Sequence, residues 1–390
     1  MPLPVLILSC PADAGSSVHR RLLGLAAGER LLLALQHAGV ERAWIAGAGV
    51  RPVSSRSALQ PVDAPAQAPA EAANGFLVIP ADLTFDRRLL ADPTRLGADL
   101  PIRLLPGSAW DDAVSNPAGL LAELGVGRAG DGHDFAIRAI DRASAKLAIR
   151  SLLLSLRKPA DGFISRHLNR HISLFVTRFI VDTGIRPNHL TAFIMLFGVA
   201  AAVLAAVAEP WWTLVLAGLF FQTQSVLDGC DGEIARLTFR FSKLGQWLDT
   251  IGDDATNFLF CLGLTIGQAR LMHSVPVLAL GLATFATQCG ISFVFYRRLM
   301  RMGTGDLLAY PYLLGEAAGT GPSGRILAAA RAAGRRDFYV FVIALVTAFQ
   351  LPLAGLVMFA AGTFPTAIGV YVNEKRIVRA ERLAQSSSSQ

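Results

Sequence analysis

The chain has 390 residues, of which 53% are hydrophobic, and a net charge of +7 at pH 7. A mean hydropathy of +0.45 is too high for an ordinary soluble protein. Much of the positive charge lies beside apolar runs, a pattern that favours an anionic membrane surface or a phosphorylated substrate and argues against nucleic acid. The four cysteines are scattered and form neither a disulfide framework nor a zinc knuckle.

The first third of the chain alternates short apolar runs with helical patterns. Residues 3–9, 43–46 and 76–79 predict buried strands, and residues 18–38 predict a helix between the first two. Strands and helices that alternate in this way are typical of an α/β domain with a parallel sheet. We assign residues 1–136 to this soluble domain.

Residues 77–86 resemble the strand of sugar-phosphate nucleotidyltransferases that ends in a metal-binding aspartate, here Asp82. Those enzymes also carry a glycine-rich loop after the first strand, which cradles nucleotide phosphates. The corresponding segment, residues 9–21, holds one glycine, Gly15. The resemblance therefore implies a nucleotidyltransferase-like domain that has lost its activity and keeps a structural or docking role.

Residues 137–185 form a predicted linker. A helical pattern at 137–157 precedes an amphipathic stretch at 163–181, whose basic side carries Arg166, Arg170 and Arg178. A basic amphipathic helix lies in the plane of a membrane interface. A linker helix packed on the soluble domain is the alternative.

Six apolar segments then predict an all-α transmembrane domain over residues 186–378: 190–208, 211–228, 250–268, 275–296, 336–351 and 353–372. We expect the remaining residues, 379–390, to be a disordered tail. Basic residues follow the fourth and sixth segments and include Arg297, Arg298, Arg301, Arg325, Arg331, Arg335, Arg336, Lys375, Arg376, Arg379 and Arg382. The positive-inside rule accordingly predicts a multi-pass protein of the cytoplasmic membrane, with its soluble domain and C-terminus in the cytoplasm.

Four aspartates lie between predicted spans, namely Asp228, Asp231, Asp249 and Asp253. Their i,i+3 and i,i+4 spacing places each pair on one helix face. Unpaired charge at a membrane edge is costly, and oxygen ligands in this number suit Mg²⁺ or Mn²⁺. Asp254 and Glu233 are neighbours that would help to hold the outer shell of a metal.

The pattern Asp-x-x-Asp-Gly-x-x-Ala-Arg-x8-Gly-x3-Asp-x3-Asp at 228–253 is the signature of CDP-alcohol phosphotransferases, and the chain matches every fixed position. The resemblance implies two divalent ions held by Asp228, Asp231, Asp249 and Asp253, with Asp253 as catalytic base. It further implies a membrane homodimer. The residues implied around the CDP group are Gly232, Ala235, Arg236, Gly245, Asn188 and Thr191, the last two of which helix capping would also explain.

The order of domains resembles the bifunctional inositol-phosphate cytidylyltransferase and di-myo-inositol-phosphate-phosphate synthase family, which uses CDP-inositol. Related phosphatidylinositol-phosphate synthases use CDP-diacylglycerol, the donor we favour because the front domain lacks its phosphate loop. The expected reaction moves a substituted phosphate to a polyol or polyol phosphate and releases CMP. Candidate acceptor residues are Ser292, Arg297, Arg298, Arg376 and Arg379. The alternative to an enzyme is a non-catalytic membrane scaffold or binding protein.

Overall fold

The computed structural model describes residues 3–10, 15–92, 95–96, 99–129, 134–157, 161–311 and 335–388. The chain divides into two compact units. The first comprises Met1–Pro159, Arg178–Gly184 and Arg236–Phe239, and the second comprises Ala160–Thr177, Ile185–Ala235 and Arg240–Gln390.

The first unit contains a five-stranded sheet of order β5-β4-β1-β6-β8. The predicted strands are confirmed as β1 (Val5–Leu8), β4 (Ala43–Ala46) and β6 (Phe76–Pro80), and β5 (Val62–Asp63) extends the sheet. These four run parallel, whereas β8 (Arg103–Leu105) pairs antiparallel with β6 at the edge. Apolar clusters cover both faces of the sheet, as continuous apolar strands require.

The predicted helix at 18–38 is interrupted. α1 (Gly15–His19) ends before a short hairpin of β2 (Arg21–Leu22) and β3 (Leu25–Ala26), and α2 (Ala27–His37) follows. Leu23 and Gly24 in the turn have φ angles of 50° and 86°. A helix cannot contain residues at positive φ, so the helix begins again only at Ala27.

The first unit extends beyond the boundary expected at residue 136. β10 (Ala136–Arg138) pairs with β7 (Leu83–Phe85) and with β9 (Gly127–Arg128) in a second, antiparallel sheet. The unit also holds short helices α3 (Arg88–Ala91), α4 (Trp110–Ser115) and α5 (Pro117–Glu123), and α6 (Arg142–Ser155) follows β10. Asp141 caps α6 through the backbone N–H of Ser144, which fixes the start of this helix.

Each predicted apolar segment coincides, wholly or for most of its length, with a helix of the second unit. The helices are α8 (Pro187–Val207), α9 (Trp212–Leu237), α10 (Lys243–Leu271), α11 (Val275–Met302), α12 (Arg336–Ala348) and α13 (Pro352–Ser388). Among the described residues, α8, α11 and α13 are long and apolar enough to cross a membrane. The expected count of six spans thus rests on the sequence pattern for α9, α10 and α12.

α13 continues to Ser388 and includes most of 379–390, where a disordered tail was expected. Regular Lys, Arg, Glu, Ala and Leu residues favour helix, so the helix persists beyond the apolar segment. Arg325 and Arg331, predicted to lie at the cytoplasmic surface, are outside the described residues.

The amphipathic stretch forms a π-helical turn, Ser165–Asn169, followed by α7 (Arg170–Ile180). Its large apolar side chains Phe163, Ile172 and Phe175 are exposed, whereas Arg170 and Ser173 are buried. A helix that turns its apolar side outward suits a lipid surface better than water.

Candidate active site

Three of the four signature aspartates converge. Asp228 lies on α9, and Asp249 and Asp253 lie one turn apart on α10. One carboxylate oxygen from each lies within 4.8 Å of the others. Asp249 is exposed and the other two are partly buried. The donor set is all oxygen and reachable from outside, so these residues fit a hard divalent cation.

Arg336, at the start of α12, lies against two of these carboxylates. Its Nη1 donates to Oδ2 of Asp228 at 3.1 Å and also to Oδ2 of Asp253. Its Nη2 donates to Gln224 at 3.4 Å, one turn before Asp228 on α9. From the sequence, Arg336 was predicted only as one of the basic residues of the positive-inside pattern. Gln224 is a polar residue in an apolar run, four residues before Asp228. It was the feature of the sequence that could have indicated a further polar partner at this site.

Asp231 is turned towards Thr191. The Thr191 hydroxyl donates to Oδ2 of Asp231, and the backbone N–H of Gly232 donates to Oδ1. The structure thereby brings together a predicted nucleotide residue on α8 and a predicted metal ligand on α9. Asp231 is buried and is not part of the three-carboxylate cluster.

Two further predicted nucleotide residues meet at the start of α10. Ser242 caps α10 by accepting from the backbone N–H of Gly245 at 2.9 Å. A Cβ atom added to Gly245 would lie 3.0 Å from Oδ1 of Asn188 and 2.9 Å from Oγ of Ser242. Glycine therefore leaves room beside Asn188. Ala235 and Arg236 occupy the last turn of α9.

Glu233 does not face the carboxylate cluster. It is fully buried and accepts hydrogen bonds of 2.7 Å each from Arg170, Ser173 and Thr177. Asp161 also accepts from Arg170, at 3.0 Å. The expectation that Glu233 helps to hold a metal is wrong. Its carboxylate instead joins α7 to α9 beside the signature, because a buried charge requires this many donors.

Asp254 is held by α11. It accepts from the hydroxyl of Tyr296 at 2.7 Å and from the hydroxyl of Ser292. Ser292 was predicted as an acceptor residue, whereas Tyr296 was missed although it follows Ser292 by one helical turn. The contact links the neighbour of Asp253 to the helix that carries the predicted acceptor residues.

The basic residues predicted to bind an acceptor phosphate occupy different environments. Arg298 pairs with Glu374 at 3.2 Å and with Glu381. Arg297 and Arg379 are exposed and line one groove between α11 and α13, which Arg376 does not line. The structure does not bring these arginines together with Ser292 in one site.

In the first unit, Asp82 is paired with an arginine. Asp82 is fully buried, and Arg138 donates to its two oxygens at 3.0 Å and 3.4 Å. Ser17 also donates to Asp82, at 3.2 Å. Burial, with the nearby Asp82 carboxylate, raises the pKa of the neighbouring Cys10 thiol to about 11. The arginine already neutralises the carboxylate that resembles a metal ligand.

The helices that carry the carboxylate cluster, α9 and α10, lie in a segment that is similar to a known family. Residues 185–313 match the profile of the CDP-alcohol phosphatidyltransferase family. The match covers about a third of the chain. It contains Asn188, Thr191 and all four signature aspartates.

Curated relatives are similar to part of this chain. A bifunctional IPC transferase and DIPP synthase of Thermococcus kodakarensis is 38% identical over 128 residues, which are 32% of this chain and 28% of that protein. The protein of the same name from Archaeoglobus fulgidus is 38% identical over 163 residues, 42% of this chain and 27% of the relative. The archaetidylinositol phosphate synthase of Pyrococcus horikoshii is 29% identical over 92 residues, 24% of this chain and 47% of that protein. The matches thus span about a quarter of the length of the bifunctional relatives.

Proposed function

We propose that this chain is a membrane CDP-alcohol phosphotransferase that moves a substituted phosphate from CDP-diacylglycerol to a hydroxyl of a polyol or polyol phosphate. CMP is the second product. The convergence of Asp228, Asp249 and Asp253 inside the family domain carries the proposal.

In this proposal, Asp228, Asp231, Asp249 and Asp253 hold two Mg²⁺ or Mn²⁺ ions. Such ions would polarise the phosphoryl group and stabilise the leaving phosphate oxygen. Asp231 is positioned by Thr191, whose hydroxyl orients its carboxylate. Oδ1 of Asp253 is buried without a hydrogen-bond partner among the described residues, which leaves this oxygen available to a ligand.

Asp253 is the proposed base. Its carboxylate takes the proton of the acceptor hydroxyl, whose oxygen then forms a bond to the β-phosphorus of the CDP-alcohol. The bond between that phosphorus and the bridging oxygen breaks, and CMP leaves with the electron pair. Only a carboxylate close to both the acceptor and the phosphate serves this step.

Nucleotide recognition is assigned to Asn188, Thr191, Gly232, Ala235, Arg236 and Gly245. The close approach of Asn188 to Gly245 supports this assignment, because a side chain at 245 would occupy that space. On the acceptor side, Ser292 is the candidate next to the reacting carboxylates, through Asp254. In the described structure, no such contact with Asp254 is made by the other candidate acceptor residues, Arg297, Arg298, Arg376 and Arg379.

The pairing of Asp82 in the first unit supports CDP-diacylglycerol as the donor. A nucleotidyltransferase that made CDP-inositol would need Asp82 free for a metal, and Arg138 occupies that carboxylate. The unit would then have a structural role. CDP-inositol remains the second candidate donor because two relatives are named bifunctional IPC transferase and DIPP synthase.

We place the domain in the cytoplasmic membrane as a homodimer, with the first unit, the aspartates and the C-terminus in the cytoplasm. The arginines after α11 and the basic residues of α13 support this orientation. Cysteine labelling of Gln390→Cys and His273→Cys from either side of right-side-out vesicles tests it.

Purified protein, incubated with CDP-diacylglycerol or CDP-inositol, Mg²⁺ or Mn²⁺ and a panel of polyols and polyol phosphates, tests the reaction. We expect CMP and a phospholipid product by mass spectrometry with CDP-diacylglycerol. Product from CDP-inositol alone would select the second donor. Absence of CMP with every donor, in protein that binds Mn²⁺, would favour a scaffold over an enzyme.

A further inference from the structure

A groove of about 800 Å³ runs between the C-terminal part of α11 and α13. Five cations line it: Arg297, Arg301, Lys375, Arg379 and Arg382. Arg298 also lines it, but its guanidinium pairs with Glu374 and Glu381. The other five form no ion pair with any residue that the structure describes. The groove therefore has a strong positive charge and attracts an anion.

The groove also has an apolar part. Phe293 and Tyr371 line it and are 67% and 61% exposed. On α11, Phe293 precedes Arg297 and Arg301 by one and two turns. On α13, Tyr371 precedes Lys375 and Arg379 in the same way, and Lys375 lies 4.3 Å from the Tyr371 ring. Both helices thus change from apolar to cationic along their length.

This order matches the chemistry of a phospholipid. α11 and α13 are both apolar enough to cross a membrane, so Phe293 and Tyr371 would lie against acyl chains. The cations would lie at the level of the headgroups, where arginine and lysine bind phosphate. A small free phosphate would use the cations and leave both aromatic rings exposed.

The groove lies on the side of α11 away from the aspartates. Ser292 and Phe295 are buried, and Ser292 contacts Asp254. Phe293 and Arg297 are exposed, so they point from the other side of the same helix. An occupant of the groove would therefore not be bound by the carboxylate cluster.

We propose that this groove binds an anionic phospholipid molecule at a site separate from the aspartate centre. A second copy of the chain is a poorer occupant, because a two-fold contact would place like charges against each other. The site holds the headgroup phosphate through Arg297 and Arg379 from the two facing helices. It does not depend on the proposed catalysis.

Native mass spectrometry of the purified full-length chain, titrated with phosphatidylglycerol or phosphatidylcholine, tests the proposal. We expect wild type to retain one phosphatidylglycerol in preference to phosphatidylcholine. Arg297→Gln with Arg379→Gln should weaken this binding about 25-fold, about fivefold for each cation removed. The charge-preserving pair Arg297→Lys and Arg379→Lys should retain most of it.

The matched control is Arg150→Gln with Arg376→Gln, which removes the same charge from exposed positions outside the groove. It should bind phosphatidylglycerol as wild type does, and so should Asp253→Asn. An equal loss in the control pair would overturn the proposal. So would displacement of the lipid by millimolar inorganic phosphate, or conversion of a dimer to a monomer by the groove pair, since these outcomes identify a phosphate site or a copy contact.

Discussion

Nη1 of Arg336 lies 3.1 Å from Oδ2 of Asp228. The same nitrogen contacts Asp253, so one guanidinium offsets the repulsion between carboxylates from α9 and α10. A divalent cation would supply the same compensation more strongly. Arg336 and a metal are therefore expected to compete for these oxygens.

Replacing Arg336 by Gln removes this competing cation. We expect Mn²⁺ to bind about tenfold tighter, because an opposite charge near a protein surface is worth about 1 kcal/mol or more at this distance. Without metal, the variant should melt at a lower temperature, and Mn²⁺ should restore the difference. Manganese titration by electron paramagnetic resonance and thermal unfolding measure the two effects.

Arg335→Gln is the matched control. Arg335 is adjacent but pairs with Asp337, at 3.7 Å. Its loss should leave Mn²⁺ affinity within about twofold of wild type, because the Arg335 side chain is 47% exposed and water screens its charge. Equal Mn²⁺ affinity of Arg336→Gln and wild type would contradict competition at the carboxylates.

Replacing Asp253 by Asn tests the proposed base. The amide cannot accept the acceptor proton, so CMP release should fall at least about 100-fold while the protein stays folded. Asp254→Asn serves as the neighbouring control, because an amide oxygen still accepts from Ser292 and Tyr296. Its loss of CMP release should be much smaller. Similar rates for the two variants would remove the base role from Asp253.

Replacing Gly245 by Ala tests the space beside Asn188. The new methyl group would lie 3.0 Å from Oδ1 of Asn188, so we expect a severalfold higher KM for the CDP-alcohol. Gly290→Ala is the control, since nothing lies within 4 Å of a Cβ atom there. Steady-state kinetics should show normal KM for the control. An unchanged KM for Gly245→Ala would place the nucleotide elsewhere.

Replacing Arg138 by Met leaves Asp82 buried without its cation. Breaking a buried ion pair costs about 3–5 kcal/mol, so urea should unfold the first unit at a clearly lower concentration. Arg128→Gln breaks an exposed pair with Asp99 at 2.9 Å and should cost less than about 1 kcal/mol.

The double variant Asp82→Asn with Arg138→Met distinguishes loss of the ion pair from loss of the other contacts of Arg138. It removes both charges and should recover part of the stability lost in Arg138→Met. No recovery would mean that Arg138 acts through its contacts with the carbonyls of Leu121 and Leu124 instead.

The local features of this protein follow from residues that are neighbours in the chain. Apolar runs predicted β1, β4 and β6 and located the helices of the second unit, because burial and helical spacing are visible in neighbouring residues. The spacing of Asp249 and Asp253 likewise placed both carboxylates on one side of α10. The interruption of the predicted helix before Ala27 was not predicted, because it depends on a turn in which Leu23 and Gly24 have positive φ angles.

Tertiary structure decided which distant groups meet. Only the packing of α9, α10 and α12 places Arg336 between Asp228 and Asp253. The packing of α8 against α9 turns Asp231 towards Thr191. It also directed Glu233 to Arg170, and Asp82 to Arg138, partners far apart in the chain. A buried charge takes whichever donors the fold brings near it, and sequence spacing along one helix cannot specify donors on another.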